Sequence, residues 1–166
     1  MTAQFHEQLR YEGQDLSMCT TPLGDYFRLG GVSPGFEFTC TALWRGYVGS
    51  WEIVGERLYL VELTGTLENG DQASVATIFP DFPDRVFAHW YSGTIRIPRG
   101  KLLDYVHMGY ASTYEKDLFI AFERGVIKST RLTHNGIAGP NAAPAGTEVS
   151  AFTVFPREVK NPGAAP

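Results

Sequence analysis

The sequence has no hydrophobic run that approaches the length of about 20 residues that a membrane-spanning helix needs. Its first residues, MTAQFHEQLRYEG, carry neither an apolar signal core nor a basic leader. Stretches with the period of an amphipathic helix are also missing. These absences predict a cytoplasmic protein that does not enter a membrane.

The chain has little cysteine and no concentration of positive charge. Cys19 and Cys40 permit at most one internal disulfide, and their spacing matches no zinc site, so we expect two buried thiols. The formal net charge is −4, and lysine and arginine do not cluster. A nucleic-acid-binding protein normally carries a basic face that neutralises phosphates. We therefore predict no metal, no cofactor and no nucleic-acid partner.

Short apolar runs separated by turn residues make up most of the chain. Hydrophobic residues reach 43%, enough for a core, and 18 glycines and 10 prolines are spread along the sequence. Many short alternating runs between turn signals are typical of β-sandwiches and barrels. The predicted fold is all-β, an antiparallel barrel or sandwich of about nine to eleven short strands. One domain is expected over residues 1–155, with a mobile loop near 134–147 and a flexible tail at 156–166.

Three hairpins stand out in the pattern. Residues 4–18 turn at Glu12-Gly13, residues 47–63 turn at Gly55-Glu56, and residues 114–132 turn at Arg124-Gly125. Each turn contains glycine, which tolerates the positive φ angles that tight hairpin turns require.

Further strands are predicted where the alternation is less complete. Residues 36–43 (FEFTCTAL) alternate cleanly, and residues 72–79 are expected to pair back after the Asn69-Gly70 turn. Residues 85–91 predict another strand. A short strand at 93–97 is expected to end in a turn at Pro98, and a final strand is expected at 148–155.

The polar segment between two predicted strands is the first place to look for catalysis. His107, Ser112 and Glu115 are the residue types of a base, a nucleophile and an orienting acid. His89, in the predicted strand 85–91, could approach His107 if the two line one pocket. Triad members usually come from separated segments, and no GxSxG elbow is present. A hydrolase at this cluster is one alternative; packed tyrosines with solvated carboxylates are the other.

Aromatic residues and one arginine predict a ligand pocket. Pockets typically combine aromatic walls with a few polar groups. Arg45 could be the buried partner of a carboxylate such as Glu52 or Glu115, or a surface charge. The same aromatic residues could instead form plain core. The predicted ligand-binding set is Arg45, Tyr47, Trp51, Trp90, Tyr110 and Tyr114.

Two stretches of this chain resemble segments of small bacterial proteins of unassigned function. The first is LWRGYVGSWEI followed by RLYLVEL, and the second runs from GTIRIP through YVHMGYASTYEKDL. The resemblance covers residues 9–132. It implies a bacterial or phage origin and carries no catalytic residue over to this chain.

Three functions are compatible with these observations. The first is a non-catalytic binding or protein-interaction module of accessory, immunity or inhibitor type, because the charge is acidic and aromatic residues reach 13%. Aromatic side chains are enriched at interface hot spots. The second is a β-barrel that binds a small molecule, and the third is the hydrolase. The expected partner is thus a protein or a small ligand, and the sequence specifies no oligomeric state.

Overall fold

Strands dominate the structure, a computed structural model that describes residues 2–144. Within that range, two short helices and a 3₁₀ turn at Thr41–Leu43 interrupt the strands. The helices are α1 (Pro22–Arg28) and α2 (Val75–Ile78). The strands are β1 (Glu7–Tyr11), β2 (Gln14–Met18), β3 (Tyr47–Val54), β4 (Arg57–Gly65), β5 (Val86–Phe87), β6 (Gly93–Asp104), β7 (Thr113–Glu123) and β8 (Val126–His134).

The three predicted hairpins are present as β1–β2, β3–β4 and β7–β8. Each has a two-residue turn in which both residues have positive φ, as at Glu12 and Gly13 (50° and 73°). Positive φ at both positions matches the right-handed twist of the flanking strands. Glu56 and Arg124 adopt positive φ beside a glycine in the other two turns.

The strands form one mixed sheet in the order β2-β1-β3-β4-β8-β7-β6, with β5 paired to β4. Strand β1 is parallel to β3, because the long connection through α1 crosses over before β3 begins. The prediction of a purely antiparallel sheet is therefore wrong at this pair, whereas the all-β class is confirmed.

The sheet formed by residues 2–144 is not closed into a barrel, so the prediction of a barrel is also corrected. Strands β4 and β8 pair at one position, Arg57 with Val126. At the other end, Cys19 after β2 donates its N–H to the carbonyl of Arg96 in β6 at 2.9 Å. This contact brings the two ends of the strand order together without forming a ladder between β2 and β6.

Two predicted strands are irregular or helical. In residues 36–43, Phe36 makes one bridge to Leu67, and the segment then enters the 3₁₀ turn. In residues 72–79, Ser74 and Thr77 form a capping box that starts α2. Alternation alone predicted extended backbone at both places. Bonds from the distant Gln4 to Thr41 and Trp44 hold the first segment, and the local Ser74–Thr77 bonds start the helix in the second.

Other predicted strands differ from the observed ones in where they begin and end. The strand predicted at 85–91 is restricted to Val86–Phe87. The predicted turn at Pro98 is wrong, since β6 continues through it to Asp104. Strand β6 is last in the strand order, and such a strand tolerates proline because one side of its backbone has no sheet partner. The final predicted strand at 148–155 and the tail at 156–166 lie outside the described residues.

The core lies between β1, β3 and β4 on one side and β6 and β7 on the other. Burying these side chains supplies most of the driving force for folding. The fully buried hydrophobic residues include Leu9, Trp51, Leu58, Leu60, Ile95, Ile97 and Ile120.

Candidate functional site

A buried carboxylate on β1 is the centre of the most polar part of the interior. Glu7 is 0% exposed and accepts hydrogen bonds from three residues of β3 and the segment just before it. Its Oε2 accepts from the N–H of Gly49 at 2.7 Å and from Nε1 of Trp51 at 2.9 Å. Its Oε1 lies 2.8 Å from both Nε and Nη2 of Arg45. Charge-assisted bonds to a two-pronged guanidinium are among the strongest in proteins.

The environment of Glu7 fits the ionised form. Burial raises the pKa of Glu7, and Arg45, Trp51 and the Gly49 amide oppose that rise. Every group around the carboxyl donates, so a protonated Glu7 would have no acceptor for its own hydrogen. Gly49 is also required sterically, because a Cβ there would lie 2.3 Å from Glu7 Oε2.

Arg45 links this carboxylate to a tyrosine on the neighbouring loop. Its Nη2 donates to the carbonyl of Phe5 at 2.9 Å, and the hydroxyl of Tyr110 donates to the same carbonyl at 2.9 Å. The Tyr110 ring stacks on His6, with ring centroids 5.6 Å apart. Burial raises the pKa of Tyr110. Burial, followed by Arg96 and Arg45, lowers the pKa of His6 to about 4, so His6 is neutral at pH 7.

A second arginine fixes the loop that carries Tyr110. Arg96 donates from Nη1 to the carbonyl of Tyr110 at 2.7 Å and from Nη2 to that of Ser112 at 2.8 Å. Its Nε donates to Oδ1 of Asp117 at 2.9 Å, and Asn135 donates to the other oxygen of that carboxylate. The loop between β6 and β7 is thus anchored through its backbone.

An open cleft of about 490 Å³ lies above Arg45 and Tyr110. Gln4 fixes one wall, since its amide donates to the carbonyl of Thr41 and accepts from the N–H of Trp44. The Trp44 side chain is 73% exposed and contacts Phe38 edge to face at 5.4 Å. We call this space the outer cleft; it is lined by Thr2, Gln4, Thr21, Thr41, Trp44, Arg45, Gly109 and Tyr110.

A much smaller cavity lies on the inner side of the same loop. Its volume is about 10 Å³, room for about one water-sized group. Tyr114 lines it and is 1% exposed, and the Tyr114 hydroxyl makes no hydrogen bond within residues 2–144. We call this cavity the inner chamber; it is lined by Ala3, Gln4, His6, Cys19, Gly109, Tyr110, Ser112 and Tyr114.

Three of the six predicted ligand-binding residues line these two cavities. Arg45 and Tyr110 line the outer cleft, and Tyr114 lines the inner chamber. Trp51 binds Glu7, and the Tyr47 ring lies 5.6 Å from the guanidinium carbon of Arg45.

Trp90 belongs to a separate aromatic cluster. Its ring stacks on Phe79 and contacts Tyr26, and its Nε1 donates to the carbonyl of Pro22 at 2.9 Å. Its contacts therefore lie with the two helices rather than with the outer cleft.

The four catalytic candidates have separate partners. His107 is exposed and bonds to the hydroxyl of Tyr105 at 2.8 Å. His89 bonds to the carbonyl of Phe87. No hydrogen bond within residues 2–144 joins any two of His107, Ser112, Glu115 and His89.

Ser112 and Glu115 hold backbone groups. The Ser112 hydroxyl accepts from the N–H of Val106 at 3.0 Å. The Glu115 carboxylate accepts from the N–H groups of Lys101 and Ala138 at 2.9 Å. Ser112 therefore stabilises the loop before β7, and Glu115 holds β6 and the segment that follows β8.

Sequence reasoning missed Glu7 as the partner of Arg45. The available signal was the alternation Phe5-x-Glu7-x-Leu9, which puts a carboxylate on the buried face of β1. A charge at such a position needs a partner. His6 and Arg96 gave no comparable signal, because alternation places each of them on the face opposite to its hydrophobic neighbours.

No protein-family profile matches the chain, and neither a curated protein nor a solved structure does. In residues 2–144, no three His, Cys, Asp or Glu side chains are grouped so that they could hold a metal ion. No helix in the same range is long and apolar enough to cross a membrane. The arguments for function therefore start from the outer cleft.

Proposed function

We propose that the protein is a non-catalytic binding protein whose outer cleft holds a small, uncharged molecule with an apolar ring. The observation that carries this proposal is a cleft of about 490 Å³ with an exposed indole at its edge. That volume lies within the range of about 300–1,000 Å³ typical of small-molecule sites. Trp44 supplies a flat apolar surface, and Arg45 and Tyr110 supply polar groups at the floor.

The charge distribution favours an uncharged ligand. The Arg45 guanidinium faces Glu7, and the Arg96 guanidinium faces Asp117. A ligand carboxylate or phosphate would have to compete with these carboxylates for the same donors. Separating either pair would leave a buried charge unmatched. A neutral ligand can bind in the cleft while both pairs stay intact.

The separate partners of the catalytic candidates support binding over hydrolysis. A nucleophile and its base must come within about 3 Å of each other in a reactive arrangement. The Ser112 hydroxyl instead bonds to Val106, and the His107 ring bonds to Tyr105. This part of the chain is better suited to building the cleft wall than to acyl transfer.

A fluorine-NMR screen of neutral aromatic fragments tests the proposal. Fragments should bind the full chain, and Trp44→Ala should weaken their binding at least tenfold because it removes the largest exposed ring of the cleft. Phe82→Ala is the control, since Phe82 is 57% exposed and does not line the cleft. A screen without hits, or hits equally unaffected by both substitutions, would contradict the proposal.

The exposed pair of Phe38 and Trp44 favours one alternative, a protein partner. The two side chains are 56% and 73% exposed and contact each other, which is the composition of an interface hot spot. Co-purification from the native host tests this alternative. A partner retained by the wild-type protein and by Phe82→Ala but lost with Phe38→Ala would favour it over the small ligand.

A further inference from the structure

We infer that the outer cleft and the inner chamber form a single site, in which a carbonyl oxygen of the ligand passes Tyr110 and accepts a hydrogen bond from Tyr114. This inference rests on the proposed binding function. It adds the class of ligand, a small neutral molecule with a ring and a carbonyl group. It also assigns Tyr114 as the residue that recognises the carbonyl.

The Tyr114 hydroxyl is the first observation. It is buried in a side chain that is 1% exposed, and it has no hydrogen-bond partner among residues 2–144. Buried polar groups in folded proteins nearly always have a partner, and the exceptions often have a functional role. A phenol hydroxyl donates one hydrogen and is suited to a carbonyl oxygen.

The size of the chamber is the second observation. With about 10 Å³ it takes a single polar atom and excludes a ring. A ligand can therefore place one oxygen in the chamber while its ring remains in the outer cleft. Arg45 and Arg96 are each paired with a carboxylate, and neither lines the chamber.

The wall between the two spaces is thin. Gln4, Gly109 and Tyr110 line both the cleft and the chamber. At Gly109 the wall has no side chain, and a Cβ built there would meet no atom within 4 Å. The backbones of residues 2–4 and of Gly109 are joined by two hydrogen bonds, so the part of this wall that can move is the Tyr110 ring.

The Tyr110 ring is held separately from its backbone. Arg96 binds the carbonyls of Tyr110 and Ser112, whereas the ring is held by the hydroxyl bond to Phe5 and by stacking on His6. Rotation of the ring would break the bond to Phe5 and the stacking on His6 but would keep the Arg96 bonds that anchor the loop. This arrangement makes Tyr110 the gate between the cleft and the chamber.

The test compares acetophenone with α-methylstyrene, which has the same shape but a CH₂ group in place of the carbonyl oxygen. Titrations of the ¹⁵N-labelled full chain give both dissociation constants. The wild-type protein should prefer acetophenone by about threefold to tenfold, the range for one hydrogen bond. Tyr114→Phe should abolish that preference while leaving α-methylstyrene binding unchanged.

Tyr105→Phe is the matched control, since Tyr105 is 45% exposed, does not line the chamber, and bonds through its hydroxyl to His107. It should retain the preference. Tyr114→Phe should melt at or above the wild-type temperature, because the hydroxyl it removes has no hydrogen-bond partner in the described part of the chain. The ¹³C resonance of labelled acetophenone should shift on binding to wild-type protein and less on binding to Tyr114→Phe.

Each contrary result has its own meaning. Equal affinity for both probes in wild-type protein, with shifts confined to the outer cleft, overturns the inference and leaves the proposed function standing. A water in the chamber that persists when acetophenone is bound also overturns the inference. Failure of both probes to perturb any cleft residue contradicts the inference and the proposed function together.

Discussion

Arg45 places two nitrogens within 2.8 Å of one oxygen of Glu7, directly beneath the outer cleft. The contact joins the segment before β3 to β1, and these segments are far apart in the sequence. Both side chains are largely removed from water, at 15% and 0% exposure. The pair therefore connects the stability of the sheet to the shape of the cleft floor.

Replacing Glu7 with glutamine should destabilise the protein by about 3–5 kcal/mol, because Arg45 would keep a buried charge without its counter-ion. Urea unfolding measures the loss. The exposed Glu62→Gln on β4 is the control and should change the free energy of unfolding by less than about 0.5 kcal/mol. In the double variant Glu7→Gln/Arg45→Met, part of the lost stability should return. Additive losses from the two changes would contradict coupling between them.

A methyl group at position 49 should disturb the same cluster. The Cβ of Gly49→Ala would lie 2.3 Å from Glu7 Oε2 and 2.7 Å from Trp51 Nε1. We expect a loss of about 1–3 kcal/mol from this overpacking, measured by thermal unfolding. Gly139→Ala is the control, since a Cβ there meets nothing within 4 Å. Equal melting temperatures for the two variants would show that the residues around Glu7 accommodate the methyl group without a loss of stability.

Stability should fall as the pH is lowered from about 6.5 to about 4, because of His6. The folded state lowers the pKa of His6 from 6.5 to about 4, so the unfolded chain binds the extra proton in this window. This shift contributes about 3 kcal/mol to the free energy of unfolding above pH 6.5, and the contribution is lost by pH 4. His6→Leu should flatten this part of the stability curve, and the exposed His107→Gln should not. If stability changed with pH in the same way for His6→Leu and wild-type protein, His6 would not be the group responsible.

Glu115 should hold the segment that follows β8. Its carboxylate accepts from the N–H groups of Ala138 and Lys101, and these two bonds lower its pKa. The bonds are therefore present above pH 4.5 and are lost as the pH falls through the lowered folded value. Glu115→Gln should speed amide exchange at Lys101 and Ala138, whereas the exposed Glu123→Gln on the same strand should not. Unchanged exchange at both amides would exclude this role.

The sequence predicted the parts of the fold that depend on neighbouring residues. The three hairpins were predictable because glycine in the turns and alternation in the strands act locally. The strands predicted at 36–43 and 72–79 failed because alternation does not reveal the Gln4 bonds to Thr41 and Trp44, or the Ser74 cap. The open sheet was not predictable, since it depends on how few contacts join β4 to β8.

The sequence predicted three residues that line the two cavities, Arg45, Tyr110 and Tyr114, but not the hydrogen bonds beneath them. The pairing of Arg45 with Glu7 was missed, although alternation along β1 places Glu7 on the buried face. Glu52 and Glu115 were considered as partners of Arg45, but its partner is Glu7. Pairing across distant segments follows from the parallel contact of β1 with β3, which no local pattern encodes.

The most direct test of the central claim is an isotope-filtered NOE experiment on the full chain with a bound neutral aromatic fragment. The proposed binding function predicts NOEs from the fragment to the Trp44 indole and the Tyr110 ring, because both line the outer cleft. NOEs to any other surface of the protein, with none to Trp44 or Tyr110, would contradict it.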